Sequence, residues 1–366
     1  MTPQERKTWI GMMGARGAWW DLRREAILEP DWECVDTHFH LWKEQLFPDP
    51  QEGTLSLRTS RYLLDEFLED ACAGHKVTQA VYVECGSEYR TGGPPNLRVV
   101  GETEFAARLA RQQAGSFPQV GAIVAHADLR DPDLGTVLDA HREAGGSLFR
   151  GVRQSGARLA DPAARLIAGA APPGLYADPA FRRGLALLGE RGLIFDSFQF
   201  HFQLDDLEVL ARSAPGTVIV VDHLGAPVDY TPARAEDQPA FLSWAKSVES
   251  LARLPNVVMK LGGMASIVTG YDGHRRETPP SSEEFVEERG GYFRHAISCF
   301  GPERCMFESN FPVDSTSIGY VVLWNAYKRI AAEHPADARQ ALLCDTARRV
   351  YGMDVGAAAA SPERRP

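Results

Sequence analysis

The sequence predicts an α/β fold, a (β/α)8 TIM barrel preceded by an N-terminal extension. Three observations predict it: short β-branched runs recur eight times, amphipathic stretches separate them, and 366 residues suffice for one large barrel. Strands that alternate with helices pair in parallel through right-handed crossovers. Eight such units favour a closed barrel over an open doubly wound sheet, which is the competing architecture.

The predicted strands are segments 34–36, 80–83, 121–124, 148–152, 193–195, 217–221, 256–259 and 304–307. Helical spacing of apolar residues predicts helices such as Ser60 to His75 and Pro179 to Arg191. No Gly-x-Gly-x-x-Gly turn follows the first strand, so a dinucleotide-binding sheet is not expected. Residues 1–31 are the predicted extension, 32–354 the barrel, and 355–366 a disordered tail rich in Ala, Pro and Arg.

Composition narrows the classes of partner. The net charge of −10 argues against nucleic acid, whose binding needs clustered positive charge. No run of 18 apolar residues predicts a membrane span, and the N-terminus lacks the apolar core of a signal peptide. Six cysteines without a Cys-x-x-Cys pair fit free thiols in a reducing compartment. We therefore expect a cytoplasmic protein with a small-molecule substrate, and the sequence leaves a homo-oligomer open.

The first predicted strand carries the clearest chemical motif, Val35-Asp36-Thr37-His38-Phe39-His40. Residues on a strand alternate faces, so Asp36, His38 and His40 point the same way. Two imidazoles at the barrel mouth can hold a divalent cation or bind a substrate oxygen. Asp36, one layer deeper, is placed to orient one of the histidines.

Asp-x-His-x-His on a first strand resembles the amidohydrolase superfamily. Five later segments are similar to its amidohydrolase-2 branch, which includes proteins like 2-pyrone-4,6-dicarboxylate hydrolase and L-fuconolactonase. They are FRGVR (149–153), FHFQL (200–204), DHLGAP (222–227), KLGG (260–263) and ESNFPVD (308–314). Each segment is weak alone, but the ordered set spans roughly Asp31 to Met353. The resemblance implies a TIM-barrel hydrolase.

The resemblance implies roles for two further histidines and one asparagine. His201 matches the histidine after the fifth strand, so His38, His40 and His201 form the expected metal set. His223, at the end of the sixth strand, is expected to polarise a carbonyl or move a proton. Asn310 stands where the superfamily usually has an aspartate that serves as general base. An amide cannot serve as that base and is a poor zinc ligand, so one zinc ion and a metal-independent mechanism both stay open.

The base is therefore sought elsewhere, with Asp314, Glu308, Glu84 and His223 as candidates. Arg153 and Lys260 face the mouth and are expected to bind a substrate carboxylate. The alternative for each is a structural ion pair, for Arg153 with Glu84. Glu84 itself is expected at the pocket wall.

The leading hypothesis is hydrolysis of a small lactone that carries a carboxylate. In it, His38, His40 and His201 polarise the carbonyl with or without a metal, and His223, Asn310 and Asp314 complete the catalytic set. One alternative is zinc-dependent, non-oxidative decarboxylation, against which Asn310 counts. The other is a non-catalytic barrel that binds a ligand.

Overall fold

The chain forms a barrel of eight parallel strands, as the sequence predicts. The computed structural model describes residues 3–13, 18–44, 46–48, 55–112, 118–159, 171–228 and 240–353. The barrel strands, each paired with the next in this order, are β1 Glu33–Phe39, β4 Lys76–Val83, β5 Gln119–His126, β6 Phe149–Arg153, β7 Ile194–Ser197, β8 Ile219–Val221, β9 Val257–Leu261 and β10 Cys305–Phe307. A separate antiparallel hairpin joins β2 Leu46–Pro48 to β3 Leu55–Arg58. All eight predicted strands are confirmed.

The barrel closes between β1 and the chain that follows β10. The backbone N–H of Asn310 donates to the His38 carbonyl at 2.9 Å, and that of His40 donates to the Phe311 carbonyl at 2.8 Å. Deeper in the wall, the Thr37 hydroxyl donates to the Phe307 carbonyl at 2.8 Å. These bonds bring the ends of the first and last barrel strands to one mouth, where barrel enzymes build their sites.

The helices lie around the barrel. They are α1 Pro3–Met12, α2 Ala18–Asp21, α3 Leu64–Ala71, α4 Val100–Gln112, α5 Leu134–Gly145, α6 Pro179–Glu190, α7 Leu204–Ser213, α8 Phe241–Ala252, α9 Ser282–Phe300, α10 Tyr320–Ala331, α11 Ala336–Gln340 and α12 Thr346–Tyr351, with a π-helical turn at Ala341–Asp345. None of the described helices combines the length and apolar character that a bilayer crossing needs.

Two predicted helices show how local chemistry sets helix bounds. α6 matches its prediction closely, because Asp178 accepts the Ala180 N–H at 2.7 Å and caps its start. α3 is shorter than predicted, because Tyr62 forms a bridge with Trp42 and the helix begins only after Leu63. The predicted tail at 355–366 lies outside the described residues.

Candidate active site

A cavity of about 250 Å³ opens at the mouth of the barrel. Five of the nine predicted site residues line it: His40, Glu84, Arg153, His223 and Asn310. Three more, His38, Lys260 and Asp314, are fully buried next to these five. The ninth, His201, makes hydrogen bonds with Ala226 and Val228.

His38 and His40 meet edge to edge. Their Nε2 atoms are 3.1 Å apart, as the strand alternation predicts. His40 Nδ1 is 2.8 Å from the Val83 carbonyl, so it must carry the proton and leave Nε2 with a lone pair. His38 Nδ1 lies between Glu308 Oε2, at 3.0 Å, and the Lys260 ammonium, at 3.2 Å. Burial, with Lys260 near His38 and with His38 and Arg153 near His40, lowers the pKa of both imidazoles. Both rings are therefore neutral.

Asp36 supports the strand rather than an imidazole. Its Oδ1 accepts the backbone N–H groups of Ser309 at 2.8 Å and His38 at 3.3 Å, and its Oδ2 accepts the Tyr320 hydroxyl at 2.9 Å. The expectation that Asp36 orients a histidine ring is wrong for this reason. It instead fastens β1 to the segment after β10.

Arg153 is held by Glu84. Its Nε donates to Glu84 Oε1 at 2.8 Å and its Nη2 donates to the Glu84 carbonyl. The ion pair that the sequence left as an alternative is thus present. The third nitrogen, Nη1, lies 3.2 Å from His38 Nε2 and 3.5 Å from Asp222 Oδ2. The guanidinium therefore reaches the histidine pair with its charge already balanced.

Lys260 lies below the histidine pair and does not line the cavity. Its ammonium is 2.7 Å from Asp196 Oδ2, 3.0 Å from Asp222 Oδ1 and 3.2 Å from His38 Nδ1. The ion pair that the sequence left as the alternative for Lys260 is thus present, and two buried carboxylates hold its charge away from the cavity. Sequence reasoning missed Asp196 and Asp222, although both follow strand runs and Asp222 adjoins His223.

His223 and Glu308 form a buried dyad. Glu308 Oε1 accepts both the His223 backbone N–H at 2.9 Å and its Nδ1–H at 2.7 Å. Burial lowers the pKa of His223, but the charge of Glu308 and this hydrogen bond outweigh it, so the net pKa is raised. The ring edge that carries Nε2 is left to act at the cavity.

The local backbone explains how His223 reaches this position. His223 and Leu224 adopt positive φ values of 57° and 55°, which turn the chain sharply after β8. A Cβ on Gly263 would lie only 2.5 Å from the His223 ring. The second glycine of the KLGG segment is therefore required by close packing against the imidazole.

Asn310 borders the cavity and Asp314 lies behind it. Asn310 Nδ2 donates to Asp314 Oδ1 at 2.8 Å, so the amide oxygen is the free end of the side chain. Asp314 Oδ2 accepts the Ala265 N–H at 3.0 Å. Burial raises the pKa of Asp314 to about 7, but the residue is fully buried and does not line the cavity. Asp314 is thus placed to orient Asn310 rather than to meet water.

His201 lies on a turn after β7. Its Nδ1 accepts the Val228 N–H at 3.1 Å, and its backbone N–H donates to the Ala226 carbonyl at 3.1 Å. Within the described part of the chain, the group with three potential ligand atoms within 4.8 Å of one another is His38, Asp222 and His223. That group contains Asp222 and His223 and does not include His201.

The residues present fit a divalent cation. The Nε2 atoms of His38 and His40 converge, and each Nδ1 lies within 3.0 Å of an oxygen, an arrangement that resembles the usual support of a metal-bound imidazole. Asp222 is fully buried and forms ion pairs with Lys260 and Arg153, and its carboxylate lies with His38 and His223 in a group whose potential ligand atoms are within 4.8 Å of one another. Arg153 Nη1, close to His38 Nε2, is the group that would shift to make room.

Comparison with known proteins places these features in a family. The sequence model of a family described as amidohydrolase matches residues 35–353. An uncharacterised protein of Sinorhizobium fredii is 32% identical over 330 residues, which cover 88% of this chain and 99% of the relative. L-Fucono-1,5-lactonase of Burkholderia multivorans is 28% identical over 323 residues, 87% of this chain and 96% of the relative.

Solved structures agree with the fold. An amidohydrolase from Burkholderia multivorans with bound zinc superposes with a TM-score of 0.67 at 26% identity, over 88% of this chain and 100% of that one. A putative 2-pyrone-4,6-dicarboxylic acid hydrolase from Pseudomonas putida superposes with a TM-score of 0.54 at 20% identity, over 87% and 97%. The latter likeness concerns the fold alone.

Proposed function

Because this chain belongs to the amidohydrolase family of hydrolases, we propose that it hydrolyses a lactone, with His223 as the general base. One observation carries the proposal: His223 borders the cavity while its Nδ1–H is bonded to buried Glu308 at 2.7 Å. A histidine held by a carboxylate in this way can take a proton through its other nitrogen. The similarity to a named lactonase along nearly its whole length supports the substrate class.

His223 carries the proton that is transferred during the proposed hydrolysis. His223 Nε2 removes a proton from the attacking water, whose oxygen bonds to the lactone carbonyl carbon. The resulting imidazolium is stabilised by the negative charge of Glu308. When the tetrahedral species collapses, the ring C–O bond breaks and His223 returns the proton to the departing alkoxide. The product is the open-chain hydroxy acid.

The oxyanion would form near Arg153, the permanent cation at the cavity. Arg153 Nη1 already lies near His38, and Glu84 fixes the orientation of the guanidinium. His40 Nε2 has a lone pair and cannot donate a hydrogen bond in this tautomer. That tautomer favours a metal-assisted reaction over one in which neutral histidines donate to the carbonyl.

A zinc ion, when bound by His38 and His40 with Asp222 nearby, would supply Lewis-acid polarisation of the carbonyl. The zinc-bound relative supports this part of the proposal. Asn310, held by Asp314, offers its amide oxygen to a substrate hydroxyl or to the attacking water. Asn310 thus positions groups and does not act as the base.

The test pairs elemental analysis with a lactone panel, assayed before and after chelation. We expect about one zinc per chain, hydrolysis of at least one lactone, and loss of activity on chelation that zinc restores. Release of carbon dioxide from aromatic acids without lactone hydrolysis would overturn the proposal in favour of a decarboxylase. Ligand binding without turnover of any ester would favour a non-catalytic barrel.

A further inference from the structure

The N-terminal extension reaches the candidate active site. α1 is followed directly by Met13, which is fully buried and lines the cavity. Among the described residues, Met13 is the single lining residue that precedes the family-matched region. The extension therefore adds one wall to a pocket that the barrel otherwise builds.

Residues 19–29, which we term the strap, fasten the extension to the barrel. The Trp19 indole N–H donates to the Arg276 carbonyl at 3.0 Å. Glu25 accepts the Ser282 N–H at 2.7 Å through Oε1 and the Asn325 amide at 2.9 Å through Oε2. Because these bonds span more than 250 positions of sequence, they tie the strap to the helices outside the last strands.

At the mouth, α1 is coupled to another pocket wall. The Ser60 hydroxyl donates to the Gly11 carbonyl at 3.4 Å, and the Ser60 carbonyl accepts the Trp42 indole N–H at 2.8 Å. Trp42 is 1% exposed and also lines the cavity. Ile10, on the same helix, is fully buried. Met13 and Trp42 are thus held by one connected set of contacts.

The side chains that line the cavity indicate which substrate substituents it accepts. Met13, Trp42, Phe198, Val268 and Val313 supply apolar surface to the cavity. Among the described residues, Arg153 is the one guanidinium that lines the cavity, and it is paired with Glu84. Lys260 lies outside the cavity, between two aspartates. A substrate carboxylate would therefore lose its hydration without gaining an unpaired cation among the described residues. An apolar substituent would instead gain from leaving water.

We propose that Met13 is a specificity-determining residue that selects lactones whose ring carries an uncharged, apolar substituent. The inference rests on the proposed lactone hydrolysis and deepens it. Methionine is suited to such a wall, because its flexible thioether adapts to apolar groups of different shape. The predicted preference for a carboxylate-bearing substrate is replaced by this one.

The experiment compares two γ-butyrolactones substituted at the same ring carbon, one with n-butyl and one with a carboxylate. We measure kcat/KM for the full-length wild type, Met13→Ala, Met13→Leu and Met12→Ala. Met12 is the matched control, because it is the neighbouring methionine, is half-buried and does not line the cavity. Wild type should prefer the butyl compound, and Met13→Ala should reduce that preference about tenfold, mainly through KM.

Met13→Leu, which keeps an apolar side chain, should retain most of the preference, and Met12→Ala should match wild type. A preference for the carboxylate, or equal effects of Met13→Ala and Met12→Ala, would overturn the inference and leave lactone hydrolysis standing. Circular dichroism identifies a variant that has unfolded. If Met13→Ala has unfolded, the substrate preference of Met13→Leu is the result that tests the inference. If no lactone is hydrolysed, the proposed function fails. Calorimetric binding of the two compounds then still tests whether the Met13 wall prefers an apolar substituent, and we expect the butyl compound to bind more tightly.

Discussion

Glu308→Gln removes one charge from the His223 dyad while keeping the size of the side chain. The carboxylate oxygen lies 2.7 Å from His223 Nδ1 and also accepts the backbone N–H of the same residue. An opposite charge this close typically raises a histidine pKa by about 1 to 3 units, and each unit corresponds to about 1.4 kcal/mol. In the variant, the imidazolium of His223 therefore loses about 1.4 kcal/mol of stabilisation for each unit by which its pKa falls. We expect kcat to fall about 100-fold, with KM changed little.

The assay is steady-state hydrolysis of the best lactone from the panel, with pH held constant and zinc content measured in parallel. Asp314→Asn is the matched control, since Asp314 is an equally buried carboxylate that faces Asn310 and Ala265 rather than a histidine. It should lower kcat less than tenfold. A loss of about 1,000-fold in Asp314→Asn, with Glu308→Gln nearly as active as wild type, would show that Asp314 is the base.

Three further predictions concern the histidine pair, Asn310 and the buried carboxyl of Glu102. His38→Ala and His40→Ala should each abolish turnover while the far-ultraviolet circular dichroism of the barrel is retained; unchanged activity would remove both residues from the site. Asn310→Asp should raise the zinc content that remains after partial chelation, measured by elemental analysis, because a carboxylate replaces a weak ligand; equal retention in variant and wild type would place Asn310 away from the metal. Burial, together with nearby Glu84, raises the pKa of Glu102 from 4.5 to about 7, so the folded chain holds this proton more tightly than the unfolded chain. The stability that Glu102 contributes is complete below about pH 4.5 and is lost as pH rises through 7, so the free energy of unfolding of the wild type should fall by about 3 kcal/mol over this range. Denaturant titration should show that Glu102→Gln does not have this fall; parallel pH curves for the two proteins would contradict the prediction.

The barrel and the histidine pair could be predicted because both depend on local periodicity. Alternation along one strand puts His38 and His40 on one side whatever the rest of the chain does, and the two Nε2 atoms lie 3.1 Å apart. The order of strand runs likewise determines a parallel barrel. Predictions of this kind need no knowledge of partners that are distant in the sequence.

The ion-pair and hydrogen-bond partners of each charged side chain could not be predicted, because these partners are distant in the sequence. Lys260 ends β9 as expected, but Asp196 lies 64 residues earlier, and the length of the lysine side chain lets the pair form below the cavity. His201 has the expected position after β7, yet its ring turns to the Val228 N–H. Met13 lies in a segment without motif or clear periodicity, so only the contacts of the folded chain around α1 reveal where it goes.

The charges around the histidine pair connect the ion pairs to the chemistry. When His223 is neutral, the described carboxylates that lie within 4 Å of the histidine pair and its neighbouring cations outnumber those cations by four to two. The four are Glu84, Asp196, Asp222 and Glu308, and the two are Arg153 and Lys260. A buried excess of negative charge is costly, and Asp196 still contributes to it at neutral pH although burial raises its pKa to about 6. A divalent cation at His38 and His40 would balance this excess, so the same acids that hold Arg153, Lys260 and His223 in place also favour a metal at the cavity.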